Sequence, residues 1–175
     1  MRPVEPGWVV WFTGLPSSGK STLAARVRQR LAEHAPVALL DGDAVRAALV
    51  PPPGYDATAR ADFYATLSHL AALLAAEGLV VLVAATAHRR AFRDDARAEA
   101  PRFLEVYVAT PLEECRRRDT KGLYAASPTH LPGAGEQYEP PILPEVVARG
   151  GNDERAVEEI ARAVLTAGSG HASPA

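Results

Sequence analysis

The stretch GLPSSGKST, residues 14–22, contains residues whose types and spacing suit phosphate binding. It matches the pattern G-x-x-x-x-G-K-[S/T], in which Gly14 and Gly19 allow backbone N–H groups to converge on an anion. The positive end of the helix that follows adds to this attraction. In this pattern Lys20 reaches the β and γ phosphates, and the Ser21 hydroxyl binds Mg²⁺. The expected nucleotide-binding residues are Gly14, Leu15, Pro16, Ser17, Ser18, Gly19, Lys20, Ser21 and Thr22.

A second polar group follows the next apolar run, in the sequence LLDGDAVR. Asp41 and Asp43 come at the end of a predicted strand, where open parallel sheets bind their ligands. One carboxylate could complete a Mg²⁺ shell or orient an acceptor hydroxyl, and Arg46 could hold an anion. The alternative is a helix-capping aspartate paired with an arginine. Because a phosphate-binding loop lies nearby in the fold, we favour the functional interpretation.

The elements that must position these residues follow from the apolar pattern. Strands are predicted at Trp8 to Thr13, Val37 to Leu40, Leu79 to Ala85 and Phe103 to Val108, with an edge strand beginning at Val146 and Val147. Helices are predicted at Ser21 to Glu33, Ala44 to Leu49, Ala57 to Glu77, Arg89 to Glu99, Pro111 to Arg118 and Asp153 to Leu165. Each strand is followed by a helix, and the strands are apolar throughout. This pattern predicts an α/β fold with a parallel sheet of about five strands and helices on both faces.

Residues 120–144 interrupt this alternation, because they contain five prolines and three glycines. A long segment of this kind inside a domain is typical of a functional loop, so we predict that it forms a lid over the site. We call residues 120–144 the lid. The chain, residues 1–175, is predicted to be a single domain, with residues 168–175 as a disordered tail.

The composition excludes several classes of protein. The net charge is −2, so no general positive field attracts nucleic acid or an anionic membrane. Cys115 is the only cysteine, which rules out an internal disulfide and a structural zinc site made of thiolates. The N-terminus MRPVEPGW lacks the apolar core of a secretory signal. We therefore expect a cytoplasmic protein that has neither a nucleic-acid nor a membrane partner.

Several stretches resemble the adenylyl-sulfate kinase (APS kinase) family, from Trp11 to about Glu145. The family patterns GLSGSGKST, LDGDNVR, EVYVDTPLE and RDPKGLY correspond here to GLPSSGKST, LDGDAVR, EVYVATPLE and RDTKGLY. The last two are specific, since no phosphate-binding loop requires them. The resemblance implies a P-loop NTPase fold of the nucleoside-kinase-like type, a three-layer sandwich. It also implies transfer of the ATP γ-phosphate to the ribose 3′-hydroxyl of adenylyl sulfate (APS), giving 3′-phosphoadenylyl sulfate (PAPS).

The resemblance implies roles for individual residues. The catalytic residues would be Lys20, Asp43 and Asp41. Magnesium would be bound by Ser21 and Asp43, and Arg118 would lie near the ATP adenine. The acceptor nucleotide would be bound by Asp43, Arg46, Tyr55, Arg60, Arg90, Lys121 and Leu123. The cofactors would be ATP and Mg²⁺. The protein would bind a small-molecule nucleotide as its substrate, and it would form a homodimer.

The chain departs from the family on the acceptor side. Ala44 replaces an asparagine, DFYAT at 62–66 replaces ENIRR, and TAHRR at 86–90 replaces ISPYR. A lost bidentate arginine costs roughly 2 to 4 kcal/mol of anion binding, which is enough to change a substrate. Two alternatives therefore stay open: a kinase for a different nucleotide or a specialised-metabolite hydroxyl, such as a cytidine diphosphoramidate, and a non-catalytic nucleotide-binding domain. His69 and His88 are weaker candidates for acid–base chemistry, because a lone histidine is more often a surface or helix residue.

Overall fold

The computed structural model describes residues 4–119, 121–126 and 131–166. Five strands form one sheet: β1 (Trp8–Thr13), β2 (Val37–Asp41), β3 (Val80–Ala84), β4 (Phe103–Val108) and β5 (Val146–Ala148). Their order in the sheet is β2-β3-β1-β4-β5, and every neighbouring pair is parallel. The predicted α/β fold with a parallel sheet of five strands is confirmed.

Helices cover both faces of this sheet. They are α1 (Lys20–Leu31), α2 (Gly42–Ala48), α3 (Ala57–Ala76), α4 (Arg90–Glu99), α5 (Leu112–Arg117), α6 (Leu123–Ala126) and α7 (Glu154–Thr166). Helices α1 and α7 pack against one face, and helices α3 and α4 pack against the other. In the part of the chain that the structure describes, no helix combines the length and the hydropathy needed to cross a bilayer.

The central strand β1 shows why the strands are apolar at every position. Val10 and Phe12 point into the core beneath α1 and α7, whereas Val9 and Trp11 point into the core beneath α3. Successive side chains of a strand face opposite sides of the sheet, so both sets are buried here. All four side chains are at most 1% exposed. A continuous apolar run is therefore the expected sequence for this position.

Element boundaries differ from the predictions by a few residues, and at α2 the reason is a cap. We predicted a start at Ala44, but the helix begins at Gly42 because the Asp41 carboxylate accepts hydrogen bonds from the backbone N–H groups of Asp43 and Ala44. An aspartate at the N-cap satisfies N–H groups that have no partner within the helix. Asp41 thus performs the capping role that the sequence left open, and it does so at the carboxyl end of β2.

The lid contains more regular structure than we expected. Its start is the short helix α6, where the Asp119 carboxylate accepts hydrogen bonds from the N–H groups of Leu123 and Tyr124. Residues 131–136 form a turn in which Gly133 N–H donates to the Glu136 carbonyl. Thr120, residues 127–130 and the predicted tail at 168–175 lie outside the described residues.

Candidate active site

The loop after β1 has the backbone conformation that a phosphate cradle needs. Gly14 and Gly19 have φ angles of 149° and 101°, a region that side chains disfavour. A Cβ atom on Gly14 would lie 2.6 Å from the Val108 carbonyl oxygen, and one on Gly19 would lie 2.6 Å from the Gly151 nitrogen. Both positions therefore require glycine for conformation and for space. The loop ends at the N-terminus of α1, where the helix dipole favours an anion.

Lys20 is the first residue of α1 and folds back over this loop. Its Nζ donates to the carbonyl oxygens of Gly14 and Leu15 at 3.1 and 2.7 Å. Burial lowers the pKa of Lys20 to about 8, which is partly offset by Asp43, Asp41 and the neighbouring Cys115. The amine thus lies where a phosphate chain would pass, and it is mostly charged at neutral pH.

The lowered pKa of Lys20 predicts a pH dependence of ATP binding. Only the ammonium form attracts phosphate, and in the free protein that form is lost as the pH rises through about 8. We expect the dissociation constant for MgATP to rise above pH 8, approaching tenfold per pH unit. Titration calorimetry between pH 7 and 9.5 measures this rise. A Lys20→Arg variant is the control, because a guanidinium stays charged over this range; a constant wild-type affinity would contradict the assignment.

The oxygen atoms beside the loop fit a magnesium ion. Ser21 Oγ donates a hydrogen bond to Asp41 Oδ2, so a hydroxyl and a carboxylate lie together at the mouth of the phosphate cradle. Mg²⁺ prefers such oxygen ligands, and it takes few of them from the protein because phosphates and water supply the rest. Among the described residues, no cluster of three or more acidic, His or Cys side chains suited to a metal occurs. We had expected Asp43 beside Ser21, but the structure places Asp41 there.

Asp43 instead contacts the lid. Its Oδ2 lies 2.6 Å from Lys121 Nζ, and this hydrogen bond raises the pKa of Lys121. Asp41 and Asp43 both line the same cavity, so the two carboxylates divide the site between them. Asp41 faces the phosphate loop, and Asp43 faces the lid.

Arg46 lies between two aromatic rings. The centre of its guanidinium is 3.9 Å from the Phe63 ring centroid and 4.6 Å from that of Tyr55. Its NH1 group donates to the carbonyl oxygens of Pro53 and Gly54 at 3.1 and 2.7 Å. The aromatic rings and the two carbonyls together fix the plane of this arginine at the far end of the cavity from the phosphate loop.

Arg60 belongs to a buried polar cluster that the sequence did not predict. Its NH1 donates to Glu136 Oε2, and Glu136 Oε1 lies 2.8 Å from His88 Nε2. His88 is only 2% exposed, and burial lowers its pKa, although Glu136 opposes this effect. Residues from α3, from the loop after β3 and from the lid thus meet at one carboxylate.

One cavity of about 1400 Å³ connects the phosphate loop with this arginine-rich end. The predicted site residues that line it are Pro16, Ser17, Gly19, Lys20, Ser21, Thr22, Asp41, Asp43, Arg46, Tyr55, Arg60, Arg118, Lys121 and Leu123. Leu131 and Pro132 of the lid also contribute to its wall. The phosphate loop, the two aspartates, the arginines and the lid therefore share one cavity.

The remaining predicted residues lie around this cavity in different ways. Gly14, Leu15 and Ser18 form the loop itself, where Ser18 N–H donates to the Leu15 carbonyl. Arg118 also borders a smaller cavity of about 340 Å³ beside Gly151 and Asn152. Arg90 is directed towards the lid, where its backbone N–H donates to Glu139 Oε2 and its NH1 to the Pro140 carbonyl.

Arg93 anchors the lid, and its role was not predicted from the sequence. Arg93 is 2% exposed, and its Nε lies 2.7 Å from Glu105 Oε1. Its other nitrogens donate to the carbonyl oxygens of Ala87 and Glu139. The mixture of basic and acidic residues from Arg89 to Glu99 predicts a solvated helix, but the structure buries Arg93. A charged Glu105 inside the apolar strand FLEVYV was the one indication that a buried cation lies nearby.

Tyr138 supplies a second lid anchor. Its hydroxyl lies 3.1 Å from Thr13 Oγ1, which itself donates to the Thr86 carbonyl at 2.6 Å. Burial raises the pKa of Tyr138, so the phenol stays protonated and can donate to Thr13. The lid is thus tied to the end of β1, the strand that leads into the phosphate loop.

The fold and the site together define a small-molecule kinase. Its features are a phosphate loop with a lysine, carboxylates at the end of β2 and the start of α2, and a pocket beneath the lid on a parallel sheet. Comparison with known proteins agrees with this class. The family model for adenylylsulphate kinase matches residues 6–149, and the chain belongs to this family. The predicted family and the predicted kinase activity are confirmed.

Individual relatives support the same assignment. An adenylyl-sulfate kinase of Synechococcus sp. (strain JA-2-3B'a(2-13)) is 43% identical over 148 residues, which cover 82% of this chain and 85% of the relative. The structure of the Mycobacterium tuberculosis APS kinase CysC in complex with AMPPNP and APS is similar to this chain, with a TM-score of 0.78 and 38% sequence identity. The match covers 92% of this chain and 96% of the CysC chain. A hexameric APS kinase from Thiobacillus denitrificans matches with a TM-score of 0.63 and 26% sequence identity. This match covers 92% of this chain and 28% of the Thiobacillus denitrificans chain.

Proposed function

We propose that this protein transfers the γ-phosphate of ATP to the ribose 3′-hydroxyl of adenylyl sulfate. The observation that carries the proposal is the single cavity that joins the phosphate loop to Arg46, Tyr55 and Arg60. A donor and an acceptor nucleotide can meet there with their reacting groups near Asp43. Membership of the adenylylsulphate kinase family supports the same reaction.

The donor end supplies the charge that phosphoryl transfer requires. The loop N–H groups and the helix N-terminus hold the phosphates, and Lys20 neutralises negative charge as the terminal phosphate leaves. Ser21 and Asp41 would hold Mg²⁺. A Mg²⁺ ion held by these two residues would neutralise negative charge on the transferring phosphoryl group. The contribution of the chain is alignment and electrostatic stabilisation.

The acceptor end would orient the hydroxyl that attacks. Asp43 lines the cavity between the phosphate loop and Arg46, and it is the carboxylate free of helix capping. We infer that it accepts a hydrogen bond from the acceptor hydroxyl and takes its proton. Its ion pair with Lys121 brings a residue of the lid beside this position. Arg46, Arg60 and Tyr55 would hold the acceptor's anionic groups and base.

A direct assay tests the proposal. Purified protein is incubated with γ-labelled ATP, Mg²⁺ and adenylyl sulfate, and the product is analysed for label on the 3′-oxygen. We expect labelled 3′-phosphoadenylyl sulfate in amounts that rise with enzyme concentration. The absence of a 3′-labelled product at saturating substrates would refute the proposal.

The two aspartates should give distinguishable variants. Asp41→Asn keeps a good helix cap, so we expect an intact fold, a kcat about 10²-fold lower and a higher Mg²⁺ requirement. Asp43→Asn should lower kcat by about 10²-fold or more at an unchanged Mg²⁺ requirement, since it removes the base. Initial rates across a Mg²⁺ titration separate the two. Asp62→Asn, exposed on α3, is the control; equal Mg²⁺ requirements in both variants would contradict the division of roles.

A second acceptor is favoured by one observation, the position of Phe63. Its ring packs on Arg46 where the resemblance led us to expect an asparagine. We therefore keep as a second candidate a kinase for a different nucleotide or a specialised-metabolite hydroxyl, such as a cytidine diphosphoramidate. Thermal-shift screening separates the candidates, because a ligand at 100 times its dissociation constant stabilises the protein by about 2.7 kcal/mol. A larger shift with another acceptor than with adenylyl sulfate would favour this candidate.

We further propose that the protein acts in the cytoplasm and as a homodimer. The Thiobacillus denitrificans relative is hexameric, so assemblies differ among related structures. Light scattering coupled to size-exclusion chromatography gives the mass in solution. The non-catalytic alternative predicts that ATP binds without turnover of any acceptor, which the labelled-ATP assay also tests.

A further inference from the structure

The phosphate loop contains a tight turn with an unfavourable backbone conformation. Ser18 N–H donates to the Leu15 carbonyl at 3.1 Å, which closes a four-residue turn with Pro16 and Ser17 at its centre. Ser17 has a φ angle of 61°, although it is not glycine. A proline followed by a residue with positive φ is typical of a type II turn. Because a side chain disfavours the left-handed region, this conformation of Ser17 is maintained by contacts with the rest of the protein.

The competing conformation is a type I turn, which the pair Pro-Ser can adopt with both central φ angles negative. It keeps the same closing hydrogen bond, but its central peptide is rotated by roughly half a turn. A trans peptide is planar, so its C=O and N–H point in opposite directions. The direction of the Pro16 carbonyl therefore determines the direction of the Ser17 N–H. Both residues line the cavity, so this choice decides which of the two groups the loop offers to a phosphate.

A side chain of the lid holds this carbonyl. Tyr124 Oη donates to the Pro16 carbonyl oxygen at 2.9 Å. Burial raises the pKa of Tyr124, so the hydroxyl stays protonated and remains a donor. The tyrosine lies on α6, whose first N–H groups are capped by the Asp119 carboxylate. The Pro16 carbonyl thus points towards the start of the lid, and the Ser17 N–H points away from it.

Other carbonyls of the loop are held by residues outside the lid. Lys20 Nζ donates to the Gly14 and Leu15 carbonyls. Thr110 Oγ1, from the loop after β4, donates to the Ser18 carbonyl at 2.7 Å. These contacts act on the first and last carbonyls of the turn, whereas the tyrosine of the lid acts on its central peptide.

We propose that Tyr124 is a positioning residue for ATP binding, because its hydroxyl keeps the Pro16–Ser17 peptide in the type II orientation that presents the Ser17 N–H to the phosphates. ATP then meets a loop that is already arranged, and the start of the lid contributes to that arrangement. The inference rests on the part of the proposed function that assigns ATP to this loop. It does not depend on which hydroxyl accepts the phosphate.

A double-mutant cycle on Tyr124 and Ser17 tests the inference. Calorimetry gives the dissociation constant of AMPPNP with Mg²⁺, without any acceptor. Tyr124→Phe should weaken binding about 5-fold, the effect of one typical hydrogen bond, because a smaller fraction of molecules then has the competent loop. Glycine adopts a positive φ without a steric penalty. In a Ser17→Gly background, Tyr124→Phe should therefore weaken binding by less than about twofold.

Ser17→Ala is the matched control background. It removes the same hydroxyl as Ser17→Gly, but its Cβ still disfavours the positive φ, so Tyr124→Phe should again weaken binding about 5-fold. A merely structural loss at the start of the lid would persist in the Ser17→Gly background, and that result would overturn the inference. Unchanged binding in Tyr124→Phe, recovery in the Ser17→Ala background, or no binding of AMPPNP by the wild-type protein would overturn it as well.

The proposed acceptor is judged separately, from turnover of adenylyl sulfate by the wild-type protein. A wild-type protein whose variants follow the cycle but which does not phosphorylate adenylyl sulfate would refute the proposed reaction. The role of Tyr124 in ATP binding would then remain supported.

Discussion

Replacement of Lys20 by alanine is expected to lower kcat/KM by about 10³-fold or more, because its charge is needed most when the terminal phosphate leaves. The amine already lies over the phosphate loop, where it donates to the Gly14 and Leu15 carbonyls. The side chain is not part of the apolar core, so the fold should persist. Initial rates with ATP and adenylyl sulfate, together with a circular dichroism spectrum of the variant, provide the measurement.

The matched control for Lys20→Ala is Arg28→Ala. Arg28 is an exposed cation on the same helix, and its removal should change kcat/KM by less than about twofold. A Lys20→Ala protein that keeps more than a tenth of the wild-type rate would contradict the catalytic role of the loop.

Replacement of Arg93 by methionine is expected to destabilise the protein by about 3 to 5 kcal/mol. The change leaves the buried Glu105 carboxylate with only the more distant Arg97, whose NH2 is 3.7 Å from Glu105 Oε2, and it leaves the Ala87 and Glu139 carbonyls without their donor. Burying an unpaired charge costs more than the ion pair itself contributes. Urea denaturation followed by the fluorescence of Trp8 and Trp11 measures the loss.

Two variants test the reason for this loss. Arg97→Met removes a more exposed arginine of the same helix, which pairs with Glu145 at 2.6 Å and reaches Glu105 only at 3.7 Å, and it should cost about 1 kcal/mol or less. The double variant Arg93→Met, Glu105→Gln should recover part of the stability, because the unpaired charge is then removed as well. A loss below about 1 kcal/mol in Arg93→Met would show that solvent reaches Glu105 and that the lid has another anchor.

Sequence reasoning predicted the sheet and the phosphate loop because both depend on local patterns. The apolar strands, the amphipathic helices and the glycines at 14 and 19 each carry their structural reason within a few residues. The parallel arrangement of the strands followed from the alternation of strand and helix, whereas the order of the strands in the sheet was not predicted. Boundaries were less exact, as at α2, where a side chain capped the helix earlier than the apolar pattern indicated.

The sequence could not decide between the two aspartates of LDGD. Asp41 and Asp43 are separated by one residue, so either could have faced Ser21. Only the turn from β2 into α2 determines the result, since it directs Asp41 to Ser21 and Asp43 to Lys121. The metal and base roles remain predictions, and the structure now gives each carboxylate a different neighbour.

The polar cluster under the lid was also beyond local reasoning. Arg93 and His88 looked like residues of a solvated segment, because the charged residues around them match a helix exposed to water. Their partners Glu105 and Glu136 come from β4 and from the lid, which are far away in the chain. Periodicity cannot reveal a partner that only tertiary packing brings near.

The two-sided burial of β1 has a consequence for the timing of motions. This strand pairs with β3 and β4 along both edges, and its side chains fill the cores above and below the sheet. Its amide hydrogens can exchange with solvent only when the domain opens globally. The lid is held by a few side-chain contacts and can open without such an event. Substrates can therefore enter and leave many times within the lifetime of one folded molecule, while the phosphate loop at the end of β1 keeps its shape.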